Sequence, residues 1–150
     1  MYTTHKNDAS AATLMACHLQ LIGTDLSAWL ALLAHDAAIE FPYAASLGLP
    51  VRIAGRQAIA AYMQSISGSL QAFEFSQVEI TASADGRQAW ASFHGEAKTR
   101  SGRAYSQDYA ALMEVRDGKI RRYREFWNPC HVAWALEMPL VIEKDTGSRA

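Results

Sequence analysis

The second half of the chain is divided by three short turn signals into four long segments of β-type sequence. The turn signals are Asp85-Gly86, Ser101-Gly102 and Asp117-Gly118, and such dipeptides are typical of tight hairpins. The segments between and beside them are rich in β-branched and aromatic residues and span 73–82, 89–99, 104–116 and 119–127. Successive hairpins of this kind predict an antiparallel meander.

The first of these segments changes its alternation midway. Apolar residues occupy odd positions up to Phe75 and even positions from Val78 onward. One face of the strand stays apolar only if an extra residue is inserted near Ser76-Gln77. We therefore expect a β-bulge there, and a strongly bent sheet.

The first half of the chain has helical periodicity in three places. Apolar residues fall on one face from Ala11 to Ile22, again after the capping residue Asp25, and from Gly55 to near Gly68. Between the last two helices, residues 37–41 are β-like and a loop spans 42–50. Three N-terminal helices packed on a bent antiparallel sheet predict an α+β fold, a cone-shaped barrel that encloses a pocket.

Length and composition bound the class of protein. The 150 residues predict one domain over 1–150, with a loose tail from about 143. The formal net charge of −1 argues against nucleic-acid binding. The chain has no apolar run of membrane-spanning length, no signal-peptide core and no metal-ligand spacing. We therefore expect a cytoplasmic location, no membrane partner, no metal and no cofactor.

Hairpin geometry assigns the strand residues to two faces. If Ser101-Gly102 and Asp117-Gly118 are both two-residue turns, residue 92 lies opposite 111, and 110 lies opposite 125. The face under the helices then combines small residues, aromatic rings and two carboxylates, namely Ala91, Phe93, Gly95, Ala97, Ser106, Asp108, Ala110, Leu112, Tyr123, Glu125 and Trp127.

The opposite face mixes aromatic and charged residues, a composition that is typical of subunit interfaces. We therefore expect a homodimer formed through this outer sheet face. The residues that represent it are Tyr109, Met113, Arg122 and Phe126.

Two carboxylates in an apolar interior indicate acid–base chemistry, because burial raises the pKa of a carboxyl toward neutrality. Asp108 and Glu125 would be diagonal neighbours, about 7–8 Å apart at the backbone. A structural role stays open for each of them. Asp108 has Arg103 as a possible ion-pair partner, and Glu125 has Arg121 or Arg124.

A small apolar ligand would contact the residues around these carboxylates. His18 is included although it lies on the apolar face of the first helix, where a histidine is more often a satisfied core residue. The expected ligand-binding residues are Trp127, Tyr123, Phe93, Phe41, Leu112 and His18.

The order of helices and bent meander resembles the nuclear transport factor 2-like superfamily, which includes ketosteroid isomerases, SnoaL-like polyketide cyclases and phenazine-biosynthesis A/B proteins. The resemblance covers nearly the whole chain. It is most specific in Ala34-His-Asp-Ala-Ala-Ile-Glu-Phe-Pro, in Arg52-Ile-Ala-Gly-Arg-Gln-Ala-Ile, and in the stretch from Asp117 to Cys130. The implied fold is the same cone.

The resemblance also bears on individual residues. The proton-shuttling aspartate of the isomerases corresponds to Phe41, and their first-helix tyrosine falls at or near Cys17, which disfavours steroid isomerisation. The Arg-Glu-Phe-x-Asn stretch of the phenazine A/B proteins is kept, and it makes Glu125 the acid/base residue. Their pocket histidine on the third helix corresponds to Tyr62, and a nearby serine to Ile66.

Three hypotheses follow for the function. The first is a cofactor-independent isomerase, cyclase or dehydratase in which Glu125 moves a proton on a small carbonyl or cyclic substrate, with Asp108 and Tyr62 orienting it. The second is a non-catalytic ligand carrier. The third is a protein-interaction module that uses the outer face near Arg122 and Arg124.

Overall fold

Four helices pack on one curled sheet of six strands in the computed structural model, which describes residues 9–141. The helices are α1 (Ala11–Leu21), α2 (Leu26–Leu32), α3 (Arg56–Ile66) and α4 (Pro129–Leu136). The strands are β1 (Leu33–Glu40), β2 (Arg52–Ala54), β3 (Leu70–Ala82), β4 (Gln88–Thr99), β5 (Ala104–Arg116) and β6 (Lys119–Phe126). The predicted α+β cone is confirmed, and its sheet does not close. The tail predicted from about 143 lies outside the described residues.

Side-chain caps fix the starts of the first two helices. The Ser10 hydroxyl accepts a hydrogen bond from the Thr13 amide, and the Asp25 carboxylate accepts one from the Ala28 amide. Helix α2 ends at Leu32, and the chain continues at once as β1. Leu33 still fits the helical spacing of apolar residues after Asp25, but it is the first residue of the strand.

The sequence reading missed α4. Asn128 caps this helix by accepting from the Cys130 amide, and Pro129 occupies its first turn, where a missing N–H costs nothing. The Asn128-Pro129 pair was the sequence signal that could have indicated the start of this helix. Helix α4 packs against β5 and thus covers part of the sheet near one end.

The sheet has the strand order β2-β1-β6-β5-β4-β3. Every neighbouring pair is antiparallel except β1 and β6, which run parallel. The predicted meander is therefore correct for β3 to β6. The parallel pair inserts the amino-terminal part of the chain beside β6, and it brings the end of β1 next to Glu125.

The register between β4 and β5 differs from the predicted one by one residue. Ser92 lies opposite Ala110, whereas the two-residue turn had placed it opposite Ala111. The connection is a three-residue loop closed by Thr99 and Arg103, with Gly102 at φ +87°. The predicted inward face of β5 is therefore wrong, and its odd-numbered residues point into the cone.

The turn between β5 and β6 is the predicted two-residue turn. Asp117 and Gly118 both have positive φ, and Arg116 pairs with Lys119. A bulge then inserts Arg121, so that Ala111 lies opposite Glu125. The two one-residue offsets cancel, which leaves the predicted inward direction of the odd residues of β6 correct.

Two bulges bend β3. The register shifts between Ser76 and Glu79, where Gln77 has φ +52°, and this confirms the predicted bulge. A second shift lies between Gln71 and Glu74, with Ala72 at φ +50°. Because the bulges increase local twist, β3 curls while it pairs with β4 as the edge strand of the sheet.

A cluster of aromatic rings fills the cone beneath the curled strand. Phe93 stacks on Tyr109 with ring centroids 5.0 Å apart, and Phe75 meets Phe93 edge to face. Gly95 leaves the space that this cluster requires, because a Cβ there would lie 2.9 Å from the Tyr109 ring.

No helix in residues 9–141 is both long and apolar enough to cross a membrane.

Replacing Gly95 with alanine tests this packing. The added methyl would also lie 3.0 Å from the Phe73 ring, so one of the rings must shift. We expect Gly95→Ala to lower the free energy of unfolding by about 1–3 kcal/mol in urea denaturation. Gly23→Ala is the matched control, because nothing lies within 4 Å of its Cβ position. Equal stability of Gly95→Ala and wild type would contradict the described packing.

Candidate functional site

Glu125 lies on the inner face of β6, between strands that both present the cone interior. Ala111 of β5 is its direct neighbour on one side, and the small side chain leaves room beside the carboxyl. On the other side Glu40 of β1 pairs with Arg124, so that Phe41 follows in register with Glu125. Helix α3 covers this part of β1.

Burial decides the protonation of Glu125. Desolvation raises the pKa of its carboxyl to about 7, because the charged form loses its water. The Tyr123 hydroxyl donates a 2.7 Å hydrogen bond to Oε2 and works in the opposite direction. Burial has the larger effect, and the carboxyl therefore exists in both forms near neutral pH. This is the protonation behaviour that acid–base transfer requires.

Phenols surround this carboxyl. Burial raises the pKa of Tyr62, Tyr105, Tyr109 and Tyr123, and the negative charge of Glu125 adds to the effect at each of them. All four side chains therefore stay protonated and serve as hydrogen-bond donors. Tyr105 and Tyr109 bond to each other through their hydroxyls at 2.7 Å.

The sequence reading had not included Tyr105 and Tyr109 among the interior residues of the site. Both were missed because the assumed register turned the odd residues of β5 outward. Gln107, between them, is likewise inward and is held by two hydrogen bonds with the backbone of Asn128. The alternation of apolar and polar residues along β5 was the sequence signal that could have indicated their inward position.

Three aromatic rings stand beside Glu125. The Phe41 ring lies 6.2 Å from that of Tyr62 and 6.4 Å from that of Trp127, measured between centroids. All three residues, and Glu125 as a whole residue, are partly exposed, whereas the carboxyl of Glu125 is itself desolvated. The structure thus brings together the predicted residues Glu125, Tyr62, Phe41, Tyr123 and Trp127.

His18 lies on the inner face of α1 behind Tyr123. Its ring centroid is 4.1 Å from that of Tyr123, and its Nδ1 accepts a 2.9 Å hydrogen bond from Trp29 Nε1. Burial lowers the pKa of His18 to about 3, so the ring is neutral. Its Nε2 atom is buried without a hydrogen-bond partner among the described residues.

Asp108 and Leu112 do not belong to this site. Asp108 lies on the outer face with 92% of its side chain exposed, and its carboxylate lies 2.7 Å from His94 Nδ1, within hydrogen-bond distance. Leu112 lies between Trp90 and Arg124 on the same outer face. Their predicted inward positions are wrong, because both depended on the two-residue turn at Ser101-Gly102. Phe93 is inward as predicted, although it lies two strands away from Glu125.

An arginine cluster holds β6 from the outside. Arg122 and Arg124 donate hydrogen bonds to the Glu40 carboxylate of β1, and Arg52 of β2 lies 3.7 Å from it. Burial alone would raise the pKa of Glu40, but these arginine contacts outweigh it and keep the pKa below its ordinary value. The strand that carries Glu125 is thus anchored to β1 through the Glu40 carboxylate, which also contacts Arg52 of β2.

The outer surface also contains an open groove of about 1040 Å³. Its lining includes Arg52, Asp36, Glu114 and Arg121, and these charged groups form ion pairs with one another or with neighbours. None of the predicted site residues lines it. We therefore place the candidate site inside the cone.

In residues 9–141 no three His, Cys, Asp or Glu side chains lie close enough together to hold a metal ion.

Known proteins of similar sequence and structure fit this picture. The family model described as a SnoaL-like domain matches residues 20–123. The uncharacterized protein YesE of Bacillus subtilis strain 168 is 30% identical over 141 residues, which cover 93% of this chain and 95% of YesE. An uncharacterized PhzA/B-like protein of Pseudomonas aeruginosa is 38% identical over 113 residues, which cover 75% of this chain and 79% of that one.

A solved structure from Bacillus subtilis, provisionally named an isomerase, has a TM-score of 0.77 and 32% sequence identity. The match covers 85% of this chain and 92% of the other. The sequence similarity therefore extends to the three-dimensional fold over most of both chains.

The raised pKa of Glu125 predicts a pH-dependent stability. The unfolded chain releases this proton near pH 4.5 and the folded chain near pH 7, so the folded state binds more protons between these values. The free energy of unfolding should therefore fall as the pH rises through this window, by up to roughly 3 kcal/mol, and level off above it. Urea denaturation of wild type and Glu125→Gln across the window measures the effect.

The free energy of unfolding of Glu125→Gln should not fall across this window. The variant should therefore become more stable relative to wild type as the pH rises. Glu79→Gln, which removes an exposed carboxyl on β3, should follow the wild-type curve. Parallel curves for wild type and Glu125→Gln would contradict the raised pKa.

Proposed function

Because the chain belongs to the SnoaL-like domain family, we propose that it is a cofactor-independent enzyme that moves a proton on a small apolar carbonyl or cyclic substrate. Glu125 is the acid and base of this reaction. Isomerase, cyclase and dehydratase chemistry all require such a group, which takes a proton from one substrate atom and returns it to another.

The observation that carries the proposal is the desolvated carboxyl of Glu125 with a pKa of about 7. A carboxyl with the ordinary pKa of about 4.3 is a weak base and is almost never protonated at neutral pH. Near pH 7 the Glu125 carboxyl has both forms available, which suits transfer in both directions. A structural ion pair would instead hold the pKa down, as the arginines do at Glu40.

The surrounding residues have distinct roles in the proposal. Tyr123 orients the carboxyl through its 2.7 Å hydrogen bond, and Tyr62 supplies a second phenol donor toward the substrate. The rings of Phe41 and Trp127 bind the apolar body of the substrate and keep water away from the carboxyl. Asp108 has no part, because it lies on the other side of the sheet.

The relatives are compatible with this chemistry. The Bacillus subtilis structure has the provisional name isomerase, and the relative from Pseudomonas aeruginosa is described as PhzA/B-like. These names belong to those proteins. The proposal for this chain is supported by the environment of its own carboxyl.

Hydrogen–deuterium exchange of a ketone tests the proposal without knowledge of the natural substrate. We expect the wild-type protein to accelerate exchange of the protons next to the carbonyl of 1-tetralone in D₂O, followed by proton NMR. Glu125→Gln keeps the shape of the side chain but cannot accept a proton. It should lower the rate by roughly 100-fold or more while 1-tetralone still binds.

Asp108→Asn is the matched control for this experiment. It removes a carboxyl from the outer face of the same sheet, and the exchange rate should not change. If wild type fails to accelerate exchange, or if Glu125→Gln is as fast as wild type, the ligand-carrier hypothesis replaces the enzyme. Native mass spectrometry of freshly purified protein would then identify the carried molecule.

We further propose a homodimer through the outer sheet face, with a second copy of the chain as partner. The predicted interface needs revision, because Tyr109 and Met113 are buried inside the cone. The exposed apolar centre is instead Trp90, 48% exposed and stacked on Phe126. Glu74, Glu96 and Asp108 lie toward one end of the face, and Arg122 and Arg124, which are ion-paired with Glu40 and Glu114, lie toward the other.

Two facing copies related by a two-fold axis would bury the exposed Trp90 and the stacked Phe126 of each copy at the centre of the interface. We expect light scattering at micromolar concentration to give the mass of a dimer. The double variant Trp90→Glu plus Phe126→Glu should be monomeric, because it places charges at the apolar centre. Trp134→Glu on α4 is the control, since Trp134 is similarly exposed but lies elsewhere. A dimer that survives the double variant would show that the interface is another surface.

A further inference from the structure

The buried histidine of α1 has a donor for which residues 9–141 supply no acceptor. Trp29 Nε1 always donates, so His18 Nδ1 must be the acceptor of their 2.9 Å hydrogen bond. In a neutral ring the proton is then on Nε2. The tautomer of His18 is thus fixed by its neighbour, and Nε2 is an N–H donor.

This N–H has no acceptor within the described part of the chain. His18 is 1% exposed, and its Nε2 is a buried side-chain atom without a hydrogen-bond partner. Buried donors are nearly always paired, because leaving one unpaired costs the free energy of removing it from water. Such an atom is a reason to look for an acceptor that the chain does not supply.

The position of the ring relates it to Glu125. The imidazole lies against the Tyr123 ring at 4.1 Å, and the hydroxyl of Tyr123 donates to the Glu125 carboxylate. The two ring nitrogens point away from each other, so the Nε2–H is directed away from α2. Tyr123 thus contacts both groups, His18 through its ring and Glu125 through its hydroxyl.

We propose that the His18 Nε2–H donates a hydrogen bond to an oxygen of the ligand and so selects ligands that carry an oxygen acceptor. The inference deepens the proposed function, on which it rests for the identity of the site. If Glu125 removes a proton next to a carbonyl, negative charge develops on the carbonyl oxygen. A fixed, neutral donor screened from water stabilises that charge more than a solvated donor does.

The protonation state of the ring suits this role. Burial keeps His18 neutral, since the pKa of the ring is lowered to about 3. The donor is therefore present at every pH at which Glu125 titrates. The imidazole acts as a hydrogen-bond donor and not as a second acid.

Two compounds with the same ring skeleton test whether the protein selects ligands that carry an oxygen acceptor. 1-Tetralone carries a carbonyl oxygen, and tetralin has the same two rings without it. We expect wild type to bind 1-tetralone roughly tenfold more tightly than tetralin, which is the effect of about one good hydrogen bond. The His18 Nε2–H proton, observed by nitrogen-15 NMR, should move downfield on addition of 1-tetralone and stay in place with tetralin.

Variants separate selection from folding. His18→Phe combined with Trp29→Phe keeps two rings in the core and leaves no unpaired donor, so it should remain folded and bind both compounds equally. Trp29→Phe alone retains His18 but no longer fixes its tautomer. Its preference for 1-tetralone over tetralin should lie between those of wild type and the double variant. The wild-type NMR measurement decides the question even if a variant fails to fold.

The inference and the proposed function fail in different ways. Glu125→Gln should lose proton exchange yet keep the preference for 1-tetralone. Equal affinity of wild type for the two compounds, binding of neither, or a His18 resonance that ignores 1-tetralone would overturn the inference. A preference for 1-tetralone in a protein that exchanges no protons would support the inference and contradict the enzyme.

Discussion

The register of β4, β5 and β6 determines which side chains enter the cone. A three-residue loop with Gly102 in the left-handed region turns the odd residues of β5 inward, and the bulge at Arg121 then returns the odd residues of β6 to the same face. Tyr109 and Glu125 share an interior for this reason. A shift of one residue at either place would turn the aromatic side chains of that strand outward and its charged side chains into the cone.

Strand β6 is held from both of its faces. On the outside Arg122 and Arg124 bind the Glu40 carboxylate of the parallel neighbour β1. On the inside Tyr123 packs on His18 and donates to Glu125. Desolvation of Glu125 costs stability, and these contacts keep the carboxyl in place in spite of that cost. A site supported in this way is organised before the ligand arrives.

Much of the fold could be predicted from the sequence, because local signals agreed with one another. The bulge at Gln77 followed from the change of alternation between Phe75 and Val78, and Asp25 identified the start of α2. The parallel pairing of β1 with β6 could not be predicted from local patterns, since it joins segments some 80 residues apart. Helix α4 was missed although Asn128 and Pro129 mark its start.

The site was predicted less well, and the reason is specific. A two-residue turn at Ser101-Gly102 conflicts with the pattern of β5 itself, in which Tyr105, Tyr109 and Met113 are apolar and Ser106 and Asp108 are polar. Burial follows that pattern. Over a strand of this length, the hydrophobic pattern is a better guide to register than the identity of two turn residues.

The central claim is that Glu125 is a desolvated carboxyl that titrates near neutrality. Carbon-13 NMR of the glutamate carboxyls, followed from pH 3 to pH 9 and assigned with Glu125→Gln, measures this directly. The account predicts one glutamate with a midpoint of about 7, and predicts that this signal is absent from the variant. A midpoint for Glu125 near the ordinary value of about 4.3 would contradict the account.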